Sequence, residues 1–334
     1  MLNNKSILVT GGTGSFGQKF IETLLKKYKT KKIIIYSRDE QKQFLLQQKW
    51  DDSKSSPIRY FIGDIRDLDR LTLAMNDVDI VIHAAALKHV HLAEYNPFEV
   101  VKTNILGAQN VISAAMNNNV EKVIALSTDK ASSPVNLYGA SKLTSDKLFT
   151  AANNYKGKKK IKLSIARYGN VMNSRGSVIP YFLKEKQKGV FSITDKRMTR
   201  FNITLDEGVS FVLFCLSKMM GGEIFVPKIP SYRIMDLAKA ISEKAKLKFI
   251  GIRPGEKLHE EMISTSDAIN TISFKNHFII APNSKFISWN KSKYLRQNKN
   301  ARSCKSGFSY NSESNEDFLT VNQLRKLIQS NIKK

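Results

Sequence analysis

The sequence predicts an α/β protein built on a doubly wound parallel sheet. Three observations support this fold class: apolar runs alternate with helical runs through the first half, a glycine-rich loop follows the first apolar run, and polar side chains end later apolar runs. Buried strands that alternate with helices indicate a parallel sheet covered on both faces. Ligands of such sheets bind at the carboxyl ends of the strands.

The alternation of elements extends to residue 171. Strands are predicted at 6–10, 32–37, 59–65, 78–86, 122–128 and 162–171, and helices at 16–27, 68–75, 97–117 and 138–153. We therefore expect a dinucleotide-binding, Rossmann-type domain over residues 1–171, with catalytic residues at its strand ends.

Beyond residue 171 the alternation breaks, and loops with proline and glycine separate shorter elements. We expect a smaller substrate-binding lobe over residues 172–334, with part of the chain returning to the sheet. Residues 264–315 are polar and weakly periodic, so irregular peripheral structure is expected there. Residues 319–332 have the pattern of a final amphipathic helix.

The composition is that of a folded protein with a large excess of positive charge. Lys and Arg number 54 against 29 Asp and Glu, which gives a net charge of +25. The basic residues are scattered and not interleaved with aromatic side chains, so we expect solvated lysines that steer phosphate-bearing small molecules, and no nucleic-acid partner. No apolar run reaches the length of a bilayer span, so no membrane insertion is expected.

Several features favour a cytoplasmic protein without a metal. The first strand begins at residue 6, which leaves no room for a signal peptide. Cys215 and Cys304 do not form a disulfide framework or a thiolate metal site. His83, His89 and His91 cluster in the sequence but lack the spacing of a zinc site. We also expect a homo-oligomer, without a predicted size.

The segment TGGTGSFG (residues 10–17) predicts a dinucleotide site. It fits G-x-G-x-x-G through positions 12, 14 and 17, and G-x-x-G-x-x-G through positions 11, 14 and 17. Glycines permit a tight turn and a close approach of backbone to pyrophosphate, and a helix N-terminus favours the anion. The predicted contacts are Gly11, Thr13, Gly14, Ser15, Phe16 and Gly17.

The end of the second strand indicates which dinucleotide is bound. NAD-binding proteins place an acid there for the ribose 2′-hydroxyl, but here Ser37 and Arg38 occupy the position and Lys42 follows one turn later. A hydroxyl and cations suit a 2′-phosphate, so NADP is preferred over NAD. The neighbouring acid Asp39 is the one residue here that argues for NAD. Asp64 ends the third strand, where it would bond the adenine or cap the next helix.

The segment STDKASSPVNLYGASK (residues 127–142) carries the candidate catalytic groups. Thr128 ends an apolar strand, while Tyr138 and Lys142 are four residues apart and therefore share one helix face. A neighbouring ammonium is expected to lower the pKa of the phenol, so that the phenolate removes a proton from an alcohol. Hydride transfer from that carbon to a nicotinamide then completes an oxidation.

The glycine loop and the YGASK motif resemble those of the extended short-chain dehydrogenase/reductases. Further segments resemble the inverting UDP-N-acetylglucosamine 4,6-dehydratases of that family, which begin pseudaminic acid synthesis: HAAALKHVHLAEYNP, ALSTDKASSPVNLYGASKL, RYGNVMNSRGSVIPYF, ITDKRMTRF, GGEIFVPKIPS and GIRPGEKLHEEMI. The resemblance spans residues 6–263. It implies that bound NADP serves the conversion of UDP-N-acetylglucosamine to UDP-2-acetamido-2,6-dideoxy-beta-L-arabino-hex-4-ulose.

The resemblance also implies catalytic roles. Oxidation at C4 gives a ketone that acidifies the C5 proton, and Tyr138 with Lys142 would serve that step. Asp129 would be the acid toward the C6 oxygen and Lys130 the base at C5, where retaining relatives carry Asp-Glu. Lys130 must be neutral to act as a base, so its pKa is expected to be lowered by burial or nearby cations. Thr128 joins this catalytic set.

Ligand contacts follow from the same resemblance. Ile65, Ala85 and Lys88 join the predicted cofactor residues. The candidate substrate contacts are Lys88, Lys130, Asn170, Ser177, Val178, Pro180, Tyr181, Phe182, Thr194, Arg200, Arg253 and Glu256. The two arginines and Glu256 would hold the UDP end, or would pack the two lobes together.

Other functions remain open at this point. A retaining dehydratase or a UDP-sugar 4-epimerase would share the fold and the cofactor. A non-enzymatic NADP-binding sensor would not need Tyr138 or Lys142, and an epimerase would not need Asp129 beside Lys130. All four residues are present.

Overall fold

A computed structural model describes residues 2–172, 177–282 and 289–332, so residues 173–176 of the RYGNVMNSRGSVIPYF segment lie outside the described part. The strands are β1 (Ser6–Thr10), β2 (Lys32–Ser37), β3 (Ile58–Ile62), β4 (Ile80–His83), β5 (Lys122–Thr128), β6 (Lys162–Tyr168), β7 (Asn170–Val171), β8 (Val190–Ile193), β9 (Thr199–Ile203), β10 (Ile224–Pro227), β11 (Ser231–Arg233), β12 (Lys246–Phe249), β13 (Glu261–Ile263), β14 (Thr271–Ser273), β15 (His277–Ile280), β16 (Arg302–Ser303) and β17 (Tyr310–Asn311).

Helices cover the faces of the main sheet and build the lobe. They are α1 (Ser15–Lys27), α2 (Glu40–Gln47), α3 (Leu68–Ala74), α4 (Val90–Tyr95), α5 (Pro97–Val100), α6 (Gly107–Asn117), α7 (Leu137–Tyr155), α8 (Val178–Glu185), α9 (Leu205–Lys218), α10 (Ile234–Ile241), α11 (Thr265–Ala268), α12 (Lys291–Gln297) and α13 (Val321–Ile332). A π-helical turn over Val101–Leu106 joins α5 to α6. None of the described helices is long and apolar enough to cross a bilayer.

The main sheet confirms the predicted fold class. Its strand order is β16-β14-β15-β10-β6-β5-β4-β1-β2-β3, and the pairs from β10 to β3 are parallel. The order runs outward from β1 in both directions, through β2 on one side and β4 on the other. A crevice therefore opens at the carboxyl ends of β1 and β4, where ligands of this architecture bind.

Two apolar clusters divide the core. The larger lies on both faces of the main sheet and includes Ile7, Val81 and Val123. The smaller packs α8, β8, α10 and α13 together around side chains such as Phe182 and Leu237. The second cluster supports the lobe above the strand ends, which places lobe residues opposite the crevice.

The strand predicted over 162–171 is interrupted at Gly169. A Cβ at Gly169 would lie 2.5 Å from the Cβ of Phe201, so β9 approaches the backbone too closely for any larger residue. The chain leaves the main sheet there and continues as β7, which pairs with β9 of the lobe. This break turns Asn170 toward the lobe and away from the sheet.

The expectation of irregular peripheral structure over 264–315 is wrong. Strands β15, β14 and β16 extend the main sheet by antiparallel pairing beyond β10. Each has two to four residues, which is too short for an alternating pattern to be recognised in the sequence.

Candidate active site

A cavity of about 1090 Å³ lies at the carboxyl ends of the parallel strands. The glycine loop between β1 and α1 lines one end, and residues of the lobe line the other. All the predicted cofactor residues line it: Gly11, Thr13, Gly14, Ser15, Phe16, Gly17, Ser37, Arg38, Lys42, Asp64, Ile65, Ala85, Lys88, Tyr138 and Lys142.

The glycine loop fits a pyrophosphate through its backbone. Gly11 has a φ of +66°, and a Cβ there would lie 2.9 Å from the Ala85 backbone nitrogen. A Cβ at Gly17 would lie 2.6 Å from the Gly11 carbonyl oxygen. The first turn of α1 has no acidic residue and no side-chain cap. Its backbone N–H groups are thus available to an anion in the cavity.

The adjoining ribose end brings residues of two loops together. Thr13 Oγ1 and Ser37 Oγ lie 2.8 Å apart. Asp39 caps α2 and pairs with Lys42, so its carboxylate is engaged at that helix N-terminus. Arg38 is half exposed on the cavity wall, and its Nη1 lies 3.5 Å from a carboxylate oxygen of Asp64. The Arg38 guanidinium and the Lys42 ammonium thus lie beside Ser37, where the adenine ribose of a dinucleotide would bind.

Tyr138 and Lys142 lie on the first turns of α7, which Asn136 caps. Burial raises the pKa of Tyr138 to about 12, and the cation that acts against burial is Lys130. Burial lowers the pKa of Lys142, and Asp146 opposes that shift. The expected lowering of the phenol pKa is therefore wrong for this structure, because the desolvation of Tyr138 outweighs the nearby charges.

Asp129 lies beneath the cavity floor. Its side chain is fully buried, and Oδ1 accepts hydrogen bonds from Thr128 Oγ1 at 2.9 Å and from Lys130 Nζ at 3.0 Å. Thr128 and Lys130 line the cavity, whereas Asp129 does not. Burial raises the pKa of Asp129; Lys130 opposes this rise and Glu260 adds to it. The carboxyl therefore holds a proton more readily than an ordinary aspartate, as an acid requires.

Lys130 faces a second carboxylate that the sequence did not identify. Its Nζ lies 3.1 Å from Glu260 Oε1 and 3.2 Å from Asn170 Oδ1. Burial would lower the pKa of Lys130, but Asp129 and Glu260 outweigh burial and raise it. The expectation of a lowered pKa is therefore wrong for this structure. Glu260 lies in the segment GIRPGEKLHEEMI, and its position in a pair of adjacent glutamates was the sequence feature that could have indicated it.

Most predicted substrate contacts line the cavity: Lys88, Lys130, Asn170, Ser177, Val178, Tyr181, Phe182, Thr194, Arg200, Arg253 and Glu256. Pro180 lies in α8 but does not line the cavity. The Arg200 guanidinium donates to the backbone carbonyls of Thr199, Lys257 and Leu258, so it attaches residues 257–260 to β9. Arg253 remains partly exposed, 4.0 Å from Glu256.

The clustered histidines have separate surroundings. His83 is buried, its Nδ1 lies 2.9 Å from Thr10 Oγ1, and burial together with Lys142 lowers its pKa to about 3. His89 and His91 lie at the start of α4 beside the cavity. In the described residues, no group of three or more His, Cys, Asp or Glu side chains is placed to hold a metal ion.

Comparison with known proteins agrees with this geometry. A model of the family described as polysaccharide biosynthesis protein matches residues 7–282. A Campylobacter jejuni protein named UDP-N-acetylglucosamine 4,6-dehydratase (inverting) is 54% identical over 331 residues, which cover 98% of each chain. The chain belongs to the family of inverting UDP-N-acetylglucosamine 4,6-dehydratases. The resemblance recognised in the sequence is thereby confirmed.

Two further relatives are a solved structure with the same overall fold and a protein with a different enzyme name. The X-ray structure of Pen from Bacillus thuringiensis is 38% identical, covers 99% of each chain and has a TM-score of 0.89. A Rickettsia felis protein named UDP-glucose 4-epimerase is 42% identical over 299 residues, 87% of each chain. Overall sequence similarity therefore does not separate dehydration from epimerisation, and the distinction depends on groups that an epimerase does not need.

Proposed function

We propose that this protein uses NADP to dehydrate UDP-N-acetylglucosamine across C5 and C6, with oxidation at C4 and inversion at C5. One observation carries the proposal: Lys130, bonded to Asp129, shares a cavity with Tyr138 and Lys142. An epimerase needs a single oxidising pair, whereas dehydration also needs a base for C5 and an acid for the C6 oxygen.

The residues of the glycine loop would hold the dinucleotide, and α1 would face its pyrophosphate. A bound NADP would supply the redox chemistry, as the hydride acceptor for oxidation at C4 and the donor of that hydride at C6. Tyr138 accepts the proton of the 4-hydroxyl, and the buried side chain of Lys142 lies one turn further along the same face of α7.

The proton for the C6 oxygen has a route through Thr128. Asp129 does not line the cavity, but the Thr128 hydroxyl contacts Asp129 and lines it. The Thr128 hydroxyl can donate its proton to the departing C6 oxygen. At the same time a protonated Asp129 can donate its proton to Thr128 Oγ1, so the threonine hydroxyl is restored. Lys130 takes the C5 proton in the same step.

NADP is preferred over NAD because Arg38 and Lys42 lie beside Ser37, while Asp39 is engaged as a helix cap. Arg38→Ala should weaken NADP binding relative to NAD by about tenfold or more, as expected for a lost bond to a charged group. Arg325→Ala is the matched control, since Arg325 and its partner Glu243 both lie outside the cavity lining. Fluorescence titration of both nucleotides gives the ratio, and an unchanged ratio in Arg38→Ala contradicts the assignment.

Further parts of the proposal concern the setting of the reaction. We infer that the keto sugar enters pseudaminic acid-type synthesis in the cytoplasm and that the enzyme is a homo-oligomer. The resemblance over residues 6–263 supports the first inference.

The deciding experiment incubates the enzyme with UDP-N-acetylglucosamine in heavy water and follows the sugar by NMR. The expected product is a 4-keto-6-deoxy sugar that carries deuterium at C5 in the inverted configuration. Formation of UDP-N-acetylgalactosamine would favour the epimerase named among the relatives. A keto product with retained C5 configuration would favour a retaining dehydratase, and unchanged substrate would contradict both.

A further inference from the structure

The amine of Lys130 is surrounded by three oxygen acceptors. They are Asp129 Oδ1 at 3.0 Å, Glu260 Oε1 at 3.1 Å and Asn170 Oδ1 at 3.2 Å. An ammonium has three N–H donors, whereas a neutral amine has two. The acceptors therefore match protonated Lys130, and a neutral amine would leave one of them without its donor.

Glu260 is fixed in place at this cluster. Its backbone N–H donates to Ser312 Oγ at 2.9 Å, and the Ser312 backbone N–H donates to the Glu260 carbonyl at 2.7 Å. The side chain is 3% exposed, and Oε2 is buried without a hydrogen-bond partner in the described part of the chain. A buried carboxylate requires a nearby cation. Lys130 supplies it at the shortest distance, because Arg200 Nε lies 3.7 Å away.

We propose that Glu260 is a positioning residue for the dehydration, which fixes the place and the charge of the Lys130 amine until a proton passes from Lys130 to Asp129. This inference rests on the proposed function. In the transfer an N–H bond of Lys130 breaks and an O–H bond of Asp129 forms, so an ammonium and a carboxylate become an amine and a carboxylic acid. One proton shift thus prepares both the base for C5 and the acid for C6, with no proton gained or lost.

The charged and titratable groups around Lys130 come from several elements: Asp129 after β5, Glu260 before β13, Arg200 on β9, Tyr138 on α7, Tyr232 on β11 and Lys257 of the lobe. The two carboxylates raise the pKa of Lys130, and Arg200 lowers it. An opposite charge within about 4–6 Å shifts a pKa by about 1–3 units. Loss of the Glu260 charge should therefore lower the pKa of Lys130 by about one unit or more.

The test compares Glu260→Gln with Glu261→Gln. Glutamine keeps the size of the side chain and one acceptor oxygen but removes the charge. Glu261 is the matched control, since its carboxylate accepts from the Ser132 and Ser133 hydroxyls and does not contact Lys130. Competitive acetylation with acetic anhydride over a pH series, mapped by mass spectrometry, follows the titration of Lys130 in the full-length protein without substrate.

We expect the midpoint of Lys130 labelling to fall by about one pH unit or more in Glu260→Gln and to stay unchanged in Glu261→Gln. Equal profiles in the wild type and Glu260→Gln would overturn the proposal. Thermal unfolding of each variant confirms that the fold is kept.

Glu260→Asp separates charge from position. Aspartate keeps the charge but is one methylene shorter, so the Lys130 midpoint should stay near that of the wild type while turnover to the keto sugar falls by about tenfold, which corresponds to one weakened hydrogen bond to a charged group. An equal downward shift of the midpoint in both variants would overturn the role of charge.

The labelling result is independent of the reaction assigned above. A shifted midpoint in a protein that forms no keto sugar would contradict the proposed function and leave the charge role of Glu260 standing. If the labelling midpoint of Lys130 does not shift in Glu260→Gln while the wild type forms the keto sugar, the proposed role of Glu260 is contradicted. The proposed dehydratase function is then unaffected.

Discussion

The two ends of the cavity differ in composition, since backbone groups form one end and charged side chains form the other. The nucleotide end consists of backbone from one continuous segment, residues 10–17, with Ser37 at the end of the next strand and Arg38 directly after it. The catalytic end consists of side-chain charges that meet from distant parts of the chain, such as Lys130 and Glu260. Backbone geometry is recorded in local sequence, whereas the balance among buried charges depends on groups that only folding brings together. Four predictions test this contrast.

The largest effect is expected at Lys130. Lys130→Ala should leave oxidation at C4 and reduce formation of the keto sugar by about 10²–10⁴-fold, the range for loss of a general base. Lys130→Arg keeps the positive charge but stays protonated, so it should lose the same activity. Deuterium exchange at C5, measured by NMR, reports the step directly. Exchange at a normal rate in either variant would show that another group is the base.

The pH dependence of C4 oxidation tests the desolvated phenol. The pKa of Tyr138 is raised to about 12, so the phenolate is the minor form at neutral pH and its population grows as pH rises toward that value. The single-turnover rate of C4 oxidation should rise by about tenfold per pH unit below the pKa. Tyr138→Phe should remove this pH dependence and slow the step by about 10²-fold, at the lower end of the range for loss of a proton acceptor. A rate that is flat between neutral and alkaline pH would mean that bound ligands remove the desolvation effect.

An intermediate effect is expected at Thr128. Thr128→Val keeps the shape but removes the hydroxyl between Asp129 and the cavity, and should slow elimination by roughly 10–100-fold, as for one lost bond to a charged group. Thr128→Ser keeps the hydroxyl and is the control, with near-normal turnover expected. Stopped-flow measurement resolves the rate of elimination from that of C4 oxidation, because Thr128 also forms a hydrogen bond with Tyr138. Equal rates for valine and serine would exclude the proton route through Thr128.

The smallest effect is expected at the nucleotide end, on stability. Gly17→Ala places a Cβ 2.6 Å from Gly11 O and should lower the free energy of unfolding by about 1–3 kcal/mol, with weaker binding of the dinucleotide. Gly208→Ala is the control, because α9 leaves open space at that position and alanine should stabilise by about 0.5–1 kcal/mol. Urea denaturation compares the two. Equal stability in both variants would contradict the close packing of the glycine loop.

Much of the fold was predictable because each element has a local cause. The strands β1, β2 and β5 have the predicted bounds, and helix α1 begins one residue before its predicted start. Apolar runs and glycines determine these segments through burial and backbone freedom. The short strands after residue 264 were missed because pairing of β15 with β10, and of β14 and β16 in succession beyond it, makes them strands, and not periodicity.

The sequence by itself determined the fold class, the glycine loop and the presence of Asp129, Lys130, Tyr138 and Lys142 after β5. These depend on residue type and spacing, which are local. Only the tertiary structure decided the electrostatics: burial raises the pKa of Tyr138, and Asp129 together with Glu260 from the lobe side reverses the shift expected for Lys130. A pKa depends on desolvation and on every charge within a few ångströms, and those neighbours are set by packing.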